Sequence, residues 1–341
     1  MSASPSERLL LDAARGGDEV AFGRLVEPVR RQLFAHCYRM LGSVHDAEDA
    51  LQESLLRAWR GLARFEGRSS ARSWLHRIAT NVCIDLAARR PARLLPPDLG
   101  PPAASGQEPG EPLPASTWIE PAPDDVFGDD AGRASPEALY EQREAVELAF
   151  IAALQHLPGR QRATLILRDV LGFSASETGE ALDASTASVN SALQRARATV
   201  DARLPQRSQQ ATLRDLGDQG VRDLVARFVE AFEGGDVPAI VGLLTDDAAF
   251  AMPPYPEWSR GRDAVAESWL MPERAPTGLR YALTRANGQL ALGTYAWDAA
   301  LGAHLPLALD VLTLRGGLIA AVVAFRSPEV FPRFGLPGEI A

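Results

Sequence analysis

The spacing of apolar positions changes twice along this chain. From Ser6 to Leu41 they recur at helical intervals, with Leu25, Val29, Leu33 and Cys37 on one stripe, and Gly42 stands where a glycine ends a helix. Asp46 to Arg60 is predicted as an amphipathic helix whose inner face is Ala47, Ala50, Leu51, Leu55 and Trp59. A short polar loop, Phe65 to Ser70, leads into another helix from Ala71 to about Arg90. Residues 93–134 break the pattern. Nine prolines and eight acids within 94–134 leave too little apolar surface for a core, so a flexible acidic spacer is expected. Helical spacing returns over 135–206, in Tyr140–Leu157, the Pro158-Gly159 turn and Gln161–Leu171.

From about Asp215 to residue 336 the period shortens. Two helices, Val221–Glu233 and Val237–Leu244, precede alternating segments at Ala248–Met252, Leu279–Arg285, Gly288–Tyr295, Leu305–Leu314 and Ile319–Phe325. Asn287-Gly288 and Gly316-Gly317 are hairpin turns between them. Helices followed by a meander predict an α+β fold. The chain is therefore read as multidomain: two all-α modules, 6–92 and 135–206, plus a C-terminal α+β module.

Charge changes the picture once it is resolved along the chain. The net charge of −9 argues against a nucleic-acid partner, yet residues 1–93 carry 15 arginines against 11 acids. The acidity sits in the spacer and the C-terminal module. All 35 basic residues are arginine, whose planar fork grips phosphate and guanine. The two cysteines, Cys37 and Cys83, fall in helical patterns and suggest neither a disulfide framework nor a metal site. Without a signal-peptide pattern at Met1–Arg15 or an apolar run of membrane-spanning length, a reduced, cytoplasmic protein with no membrane association is expected.

The sharpest local chemistry lies between Ser174 and Val200. Ser174 with Glu177 three residues on makes a capping box for a short helix. A turn at Asp183-Ala184 follows, and Ser185 caps a second helix with Val189, Leu193 and Ala196 facing inward. That is helix-turn-helix spacing, which sends the second helix into the DNA major groove. Thr186, Ser188, Asn190, Ser191 and Gln194 are its candidates for base edges. Arg195 and Arg197, with Arg160 and Arg162 on the preceding helix, are candidates for phosphates. A plain helical hairpin would show the same spacing.

Context favours DNA. The stretch LQHLPGRQRATLILRDVLGFSASETGEALDASTASVNSALQRARATV resembles domain 4 of a sigma factor of RNA polymerase, and LGSVHDAEDALQESLLRAWRGLARFEGRSSARSWLHRIATNVCIDLAARR resembles sigma domain 2. Both in this order, with only a linker between, are similar to the extracytoplasmic-function group of the sigma-70 family. The resemblance implies that core RNA polymerase and promoter DNA are the partners. It places Asp46, Asp49, Gln52, Glu53 and Arg57, with Arg60, on the polymerase clamp. It assigns the −10 element to Arg68, Ser69, Ser70, Trp74, Arg77 and Asn81, and the −35 element to the Thr186–Arg197 helix. By burial statistics Trp74 reads as core, and Asn81 is the better base reader, offering both a donor and an acceptor. Asn190 and Ala192 stand where the family commonly has Lys and Arg.

The segment FVEAFEGGDVPAIVGLLTDDAAFAMPPYPEWSRGRDAVAESWL resembles the SnoaL-like branch of the NTF2-like cone. That resemblance leaves room for a small ligand among Tyr255, Trp258, Trp269, Tyr295 and Trp297, which otherwise form its core. His304 and Asp246 have no catalytic spacing, so no catalytic residue, cofactor or metal is expected, and the module is read as modulating the sigma domains in cis. An anti-sigma partner is not legible. Two alternatives remain at this point: a ligand-sensing helix-turn-helix repressor, which needs no domain 2, and an enzyme carried on the cone.

Overall fold

Where apolar residues recur at three and four, helices form and bury that stripe. The computed structural model of the protein describes residues 5–67, 70–104, 107, 110–127, 144–270 and 278–340. The chain divides into two units. One holds Met1–Arg93, Asp125–Ala145 and Ala149–Leu204; the other holds Leu94–Asp124, Val146–Leu148 and Pro205–Ala341.

The first unit is helical: α1 (Pro5–Arg15), α2 (Glu19–Val26), α3 (Arg30–Leu41), α4 (Val44–Gly61), α5 (Ala71–Ala87), α6 (Leu148–Gln155), α7 (Gly159–Leu165), α8 (Ala175–Leu182) and α9 (Thr186–Asp201). Side-chain caps set five of the starts: Asp18 for α2, Ser43 for α4, Ser70 for α5, Ser174 for α8 and Ser185 for α9. Gly42 ends α3 at φ 69°, as its position in the sequence suggested. The helix expected over Tyr140–Leu157 is described as Leu148–Gln155, and residues 140–143 lie outside the described part. That expected over Gln161–Leu171 closes at Leu165 and continues as a π turn, Ile166–Val170.

Within this unit the N-terminal and C-terminal helices share polar contacts. The Arg39 Nε donates to the Ala145 carbonyl at 3.0 Å, and Gln155 Nε2 donates to the Arg39 carbonyl at 3.3 Å. Arg162, expected at a phosphate, is instead 5 % exposed. Its guanidinium donates to the carbonyls of Met40, Gln155 and Leu157 and to Gln155 Oε1. Burial lowers both Arg39 and Arg162 to a pKa of about 10, still charged at neutral pH. His36 and His76 lie 5.8 Å apart beside them. Burial holds both neutral, His76 at about 4 and His36 well below its ordinary value. His76 packs on Phe173, and the Arg72 guanidinium lies 5.6 Å from the same ring.

The second unit comprises α10 (Gln209–Gly234, kinked at Gly217), α11 (Val237–Gly242), β1 (Leu244–Ala251), β2 (Trp258–Arg260), α12 (Arg262–Leu270), β3 (Arg280–Ala286), β4 (Gln289–Asp298), β5 (Ala303–Arg315) and β6 (Leu318–Phe325). The sheet order is β2-β1-β6-β5-β4-β3, antiparallel except for β1 with β6. Alternation sorts the two faces. Leu290, Leu292, Leu312 and Leu314 share one core with Leu224 and Phe228 of α10 and Ile240 of α11. On β4, Tyr295 meets Phe331 of a closing 3-10 turn edge-on at 5.2 Å.

The segment read as a free spacer is part of this unit. Trp118, Ile119 and Ala122 are buried. Ala122 exchanges two hydrogen bonds with Asn287: its amide donates to Asn287 Oδ1 at 2.9 Å, and its carbonyl accepts from the Asn287 amide at 2.9 Å. The Asp124 carboxylate accepts from the Gly288 amide at 2.6 Å and pairs with Arg285 at 3.0 Å. Trp258 Nε1 donates to the Gly100 carbonyl, and the Gly110 amide donates to Glu257. Prolines do not prevent this, because a strap held by side chains and by a few backbone groups needs no regular ladder. The stretch between the helix-turn-helix and the sheet, Pro205 to Arg214, is also engaged. The Gln209 side chain accepts from the Leu314 amide at 2.7 Å and donates to its carbonyl at 3.1 Å, as a neighbouring strand would.

Candidate polymerase and nucleic-acid interface

The helix-turn-helix is built as its sequence reads. The Ser174 side chain accepts from the Glu177 amide at 3.1 Å, and Glu177 accepts from the Ser174 amide at 2.8 Å. That backbone bond lowers the Glu177 pKa, so the box is complete at neutral pH. Asp183 turns the chain at φ 50°. Gly179 has to be glycine: a Cβ there would stand 2.5 Å from the Ala184 carbonyl oxygen. Val189, Leu193 and Ala196 are buried, whereas Thr186, Ser188, Asn190, Ser191, Gln194 and Arg195 are all exposed along α9.

Arg197 is exposed too, but not free. Its Nε and Nη2 donate to both oxygens of Asp169 at 2.8 and 2.7 Å, a bidentate fork that raises its pKa. Arg160 donates to the Leu182 carbonyl. A shallow depression of about 520 Å³ is lined by Arg168, Asn190, Gln194 and Arg197.

On α4 the expected acidic flank divides. Asp49 and Gln52 are exposed, Glu53 is half-buried, and Glu53 accepts from Arg57 Nε at 2.7 Å. Asp46, at the start of the same flank, faces the chain beyond α5. It is 3 % exposed and pairs with Arg90 and with Arg93, the latter at 2.7 Å, so it cannot touch a partner. On α5, Arg77 and Asn81 are exposed one turn apart, and Ser70 is the helix cap. Trp74 is half-buried and stacks on Phe65 at 4.7 Å, alongside Trp59 in the same cluster. Arg68 and Ser69 lie outside the described residues.

Comparison with known proteins decides the family. Sigma-70 region 2 matches residues 25–93, Sigma-70 region 4 matches 141–200, and the SnoaL-like domain matches 225–322. The chain is 43 % identical over 328 residues to the ECF RNA polymerase sigma factor SigG of Mycobacterium tuberculosis, covering 96 % of this chain and 86 % of that protein. The chain belongs to the ECF sigma factors. It is 32 % identical over 193 residues to SigM of the same species, covering 57 % of this chain and 82 % of SigM. The crystal structure of M. tuberculosis SigJ shares the fold with a TM-score of 0.55 at 21 % identity, covering 91 % of this chain and 98 % of that one.

As an ECF sigma factor the protein binds core RNA polymerase and promoter DNA in transcription initiation. Region 2 runs from the end of α2 through α5 and region 4 is α6 to α9, while the SnoaL-like match spans most of the sheet. No described helix is long and apolar enough to cross a membrane.

Two features of the site were missed in the sequence. The buried Asp46 pair depends on residues 44 and 47 positions away. Asp169, which occupies Arg197, had a nearer signal: it lies on the helix that leads into the helix-turn-helix and is the only acid between Arg160 and Ser174.

Proposed function

We propose that this sigma factor is regulated in cis by its SnoaL-like unit, which holds the linker between regions 2 and 4. The carrying observation is the strap at residues 94–124, fixed through Asn287, Asp124 and the buried Trp118-Ile119 pair. Promoter elements centred about 25 base pairs apart lie roughly 85 Å apart at 3.4 Å per base pair. Regions 2 and 4 in hydrogen-bond contact, as through Arg162 and Met40, do not span that distance. They must separate, and the linker supplies the reach. Residues 94–124 add roughly 100 Å when extended, whereas residues 125–145 alone reach roughly 75 Å. Holding the strap therefore disfavours the arrangement that reads both elements.

In the open arrangement, Asp49, Gln52, Glu53 and Arg57 meet the polymerase. Arg77, Asn81 and the Arg68–Ser70 loop take the −10 strand, with Trp74 as a packed support. Thr186, Ser188, Asn190, Ser191 and Gln194 read the −35 element, and Arg195 and Arg197 hold phosphates once Asp169 yields. The SnoaL-like unit is regulatory rather than catalytic, and the protein works in the cytoplasm, where the polymerase is.

The test pairs Asn287→Ala with Asp124→Ala in the full chain. Released, residues 94–124 become open to limited proteolysis, and run-off transcription with core polymerase rises at limiting sigma concentration. Linker cleavage without any change in transcription would reject regulation through the strap.

A further inference from the structure

Two histidines are buried where region 4 covers region 2. His36 on α3 and His76 on α5 are fully buried, and a chain of hydrogen bonds fixes which nitrogen of each carries the hydrogen. The Thr80 hydroxyl donates to the His76 carbonyl at 2.7 Å, so it accepts from His36 Nε2–H at 2.9 Å. His76 Nδ1–H donates to the Arg72 carbonyl at 2.9 Å. His36 Nδ1 and His76 Nε2 are left as bare lone pairs, and neither has a hydrogen-bond partner among the described residues.

The cover over this pair belongs to region 4. Phe173 lies 5.6 Å from the His76 ring, and Arg72 Nη2 donates to the Leu171 carbonyl at 3.5 Å. Behind Phe173, α8 packs against α5. A proton on either bare nitrogen would make a buried cation beside other cations. The guanidinium groups around the pair are Arg39 of α3, Arg72 of α5, Arg162 of α7 and Arg168 of the π turn, which donates to the Phe173 carbonyl. The carboxylates on the elements packed there are engaged elsewhere: Glu177 caps α8, Asp169 pairs with Arg197, and Asp46 of α4 pairs with Arg93. The remaining ionisable neighbours are the Cys37 and Cys83 thiols, of which burial pushes Cys83 up.

We propose that His76, backed by His36, makes the contact between regions 2 and 4 an acid-sensitive latch: His76 takes a proton once Phe173 has left it, so acidification releases region 4 from region 2. Closed, burial holds His76 at about 4, against the bond to the Arg72 carbonyl; open to water, an imidazole titrates near 6.5. Between those values the open arrangement binds the extra proton. The contact is therefore at full strength above about pH 6.5 and weakens as pH falls, by about tenfold in the closed-to-open ratio for each pH unit from about 6 to 4.5. The latch rests on the separation of regions 2 and 4 that promoter reading requires, and not on the strap.

Förster transfer in the full chain tests it, with dyes on Leu56→Cys of α4 and Ala198→Cys of α9, both exposed; the native cysteines are buried. Urea titrations from pH 7.5 to 4.5, with circular dichroism recorded in parallel, separate release of region 4 from loss of helix. Transfer is expected to be lost at a urea concentration that falls as pH drops below about 6.5, and at pH 5 ahead of the helical signal. His76→Gln and the more shape-conserving His76→Phe, neither of which takes a proton in this range, are expected to remove at least half of that fall. The chain carrying Asn287→Ala and Asp124→Ala is expected to show the same fall as the unmodified strap, so failure of the latch and failure of the strap are read separately. A midpoint for transfer that does not change with pH, an equal fall with and without the His76 imidazole, or transfer lost only together with the helices at every pH each overturns the proposal.

Discussion

Among the described residues each unit buries one aspartate, and the two are treated in opposite ways. Asp46, in the helical unit, is matched by two arginines and sits under the cap of α4. Asp310, in the sheet unit, has a threonine and no cation. A buried carboxylate paired with cations fixes the elements carrying it; one without a cation is pushed towards its neutral form by burial, with the threonine hydroxyl as its hydrogen-bond partner. The same side chain thus ties α4 to the chain beyond α5 as an ion pair in one unit and sits as a buried acid with a raised pKa in the other.

The largest expected effect comes from breaking the paired case. Asp46→Ala removes the carboxylate that Arg90 and the buried Arg93 share, and is expected to cost about 3–5 kcal/mol. Urea denaturation followed by hydrogen exchange of the α4 amides measures it; a loss under about 1 kcal/mol would make Asp46 a spectator.

The carboxyl without a cation is read through pH. Asp310 keeps its proton in the folded protein up to about pH 7 but releases it near 4 when unfolded. Between those values the folded state binds more protons, so stability falls as pH rises from about 4 to about 7 and is flat beyond. The difference amounts to roughly 4 kcal/mol at most. Asp310→Asn removes this slope, and subtracting the two pH–stability curves isolates it. Curves that run parallel would mean the carboxyl is ionised and satisfied in the native state.

The smallest effect concerns an exposed pair. Asp169→Ala frees Arg197 and is expected to change stability by less than about 1 kcal/mol, since both groups face solvent. It is also expected to strengthen DNA binding severalfold at low salt, equally for promoter and unrelated sequences, because a phosphate contact carries no sequence information. Fluorescence anisotropy on both DNAs checks this; a gain confined to promoter DNA would make Arg197 a base reader.

These contrasts also explain what the sequence made legible. The helix-turn-helix was readable because its signals are local: Ser174 and Glu177 three apart, Ser185 before the apolar stripe, and a glycine under the turn. The α+β order was readable from the change of period. Asp46 was misplaced because its neighbours on the helical wheel are exposed at Asp49 and half-buried at Glu53, and only Arg90 and Arg93 reveal that it faces inward. The spacer was misjudged because composition averages hide Trp118, Ile119 and Ala122; the first two pair with Leu94, and the partner of Ala122 lies 165 residues on. Asp310 did leave a trace: in LALDVLTL it occupies an inward position of the alternation, where an aspartate is out of place unless it has a task.

The strap also fixes an order of events during synthesis. Residues 94–124 leave the ribosome well before Asn287, and the sheet is complete only when β6 ends at Phe325. At about 5–20 residues per second, the stretch from Asp201, where the last helix of region 4 ends, to Phe325 takes roughly 6 to 25 s to make. For that interval the nascent chain carries both sigma regions and an unrestrained linker. Each newly made molecule therefore has a brief period of unrestrained reach before its own C-terminus takes up the slack.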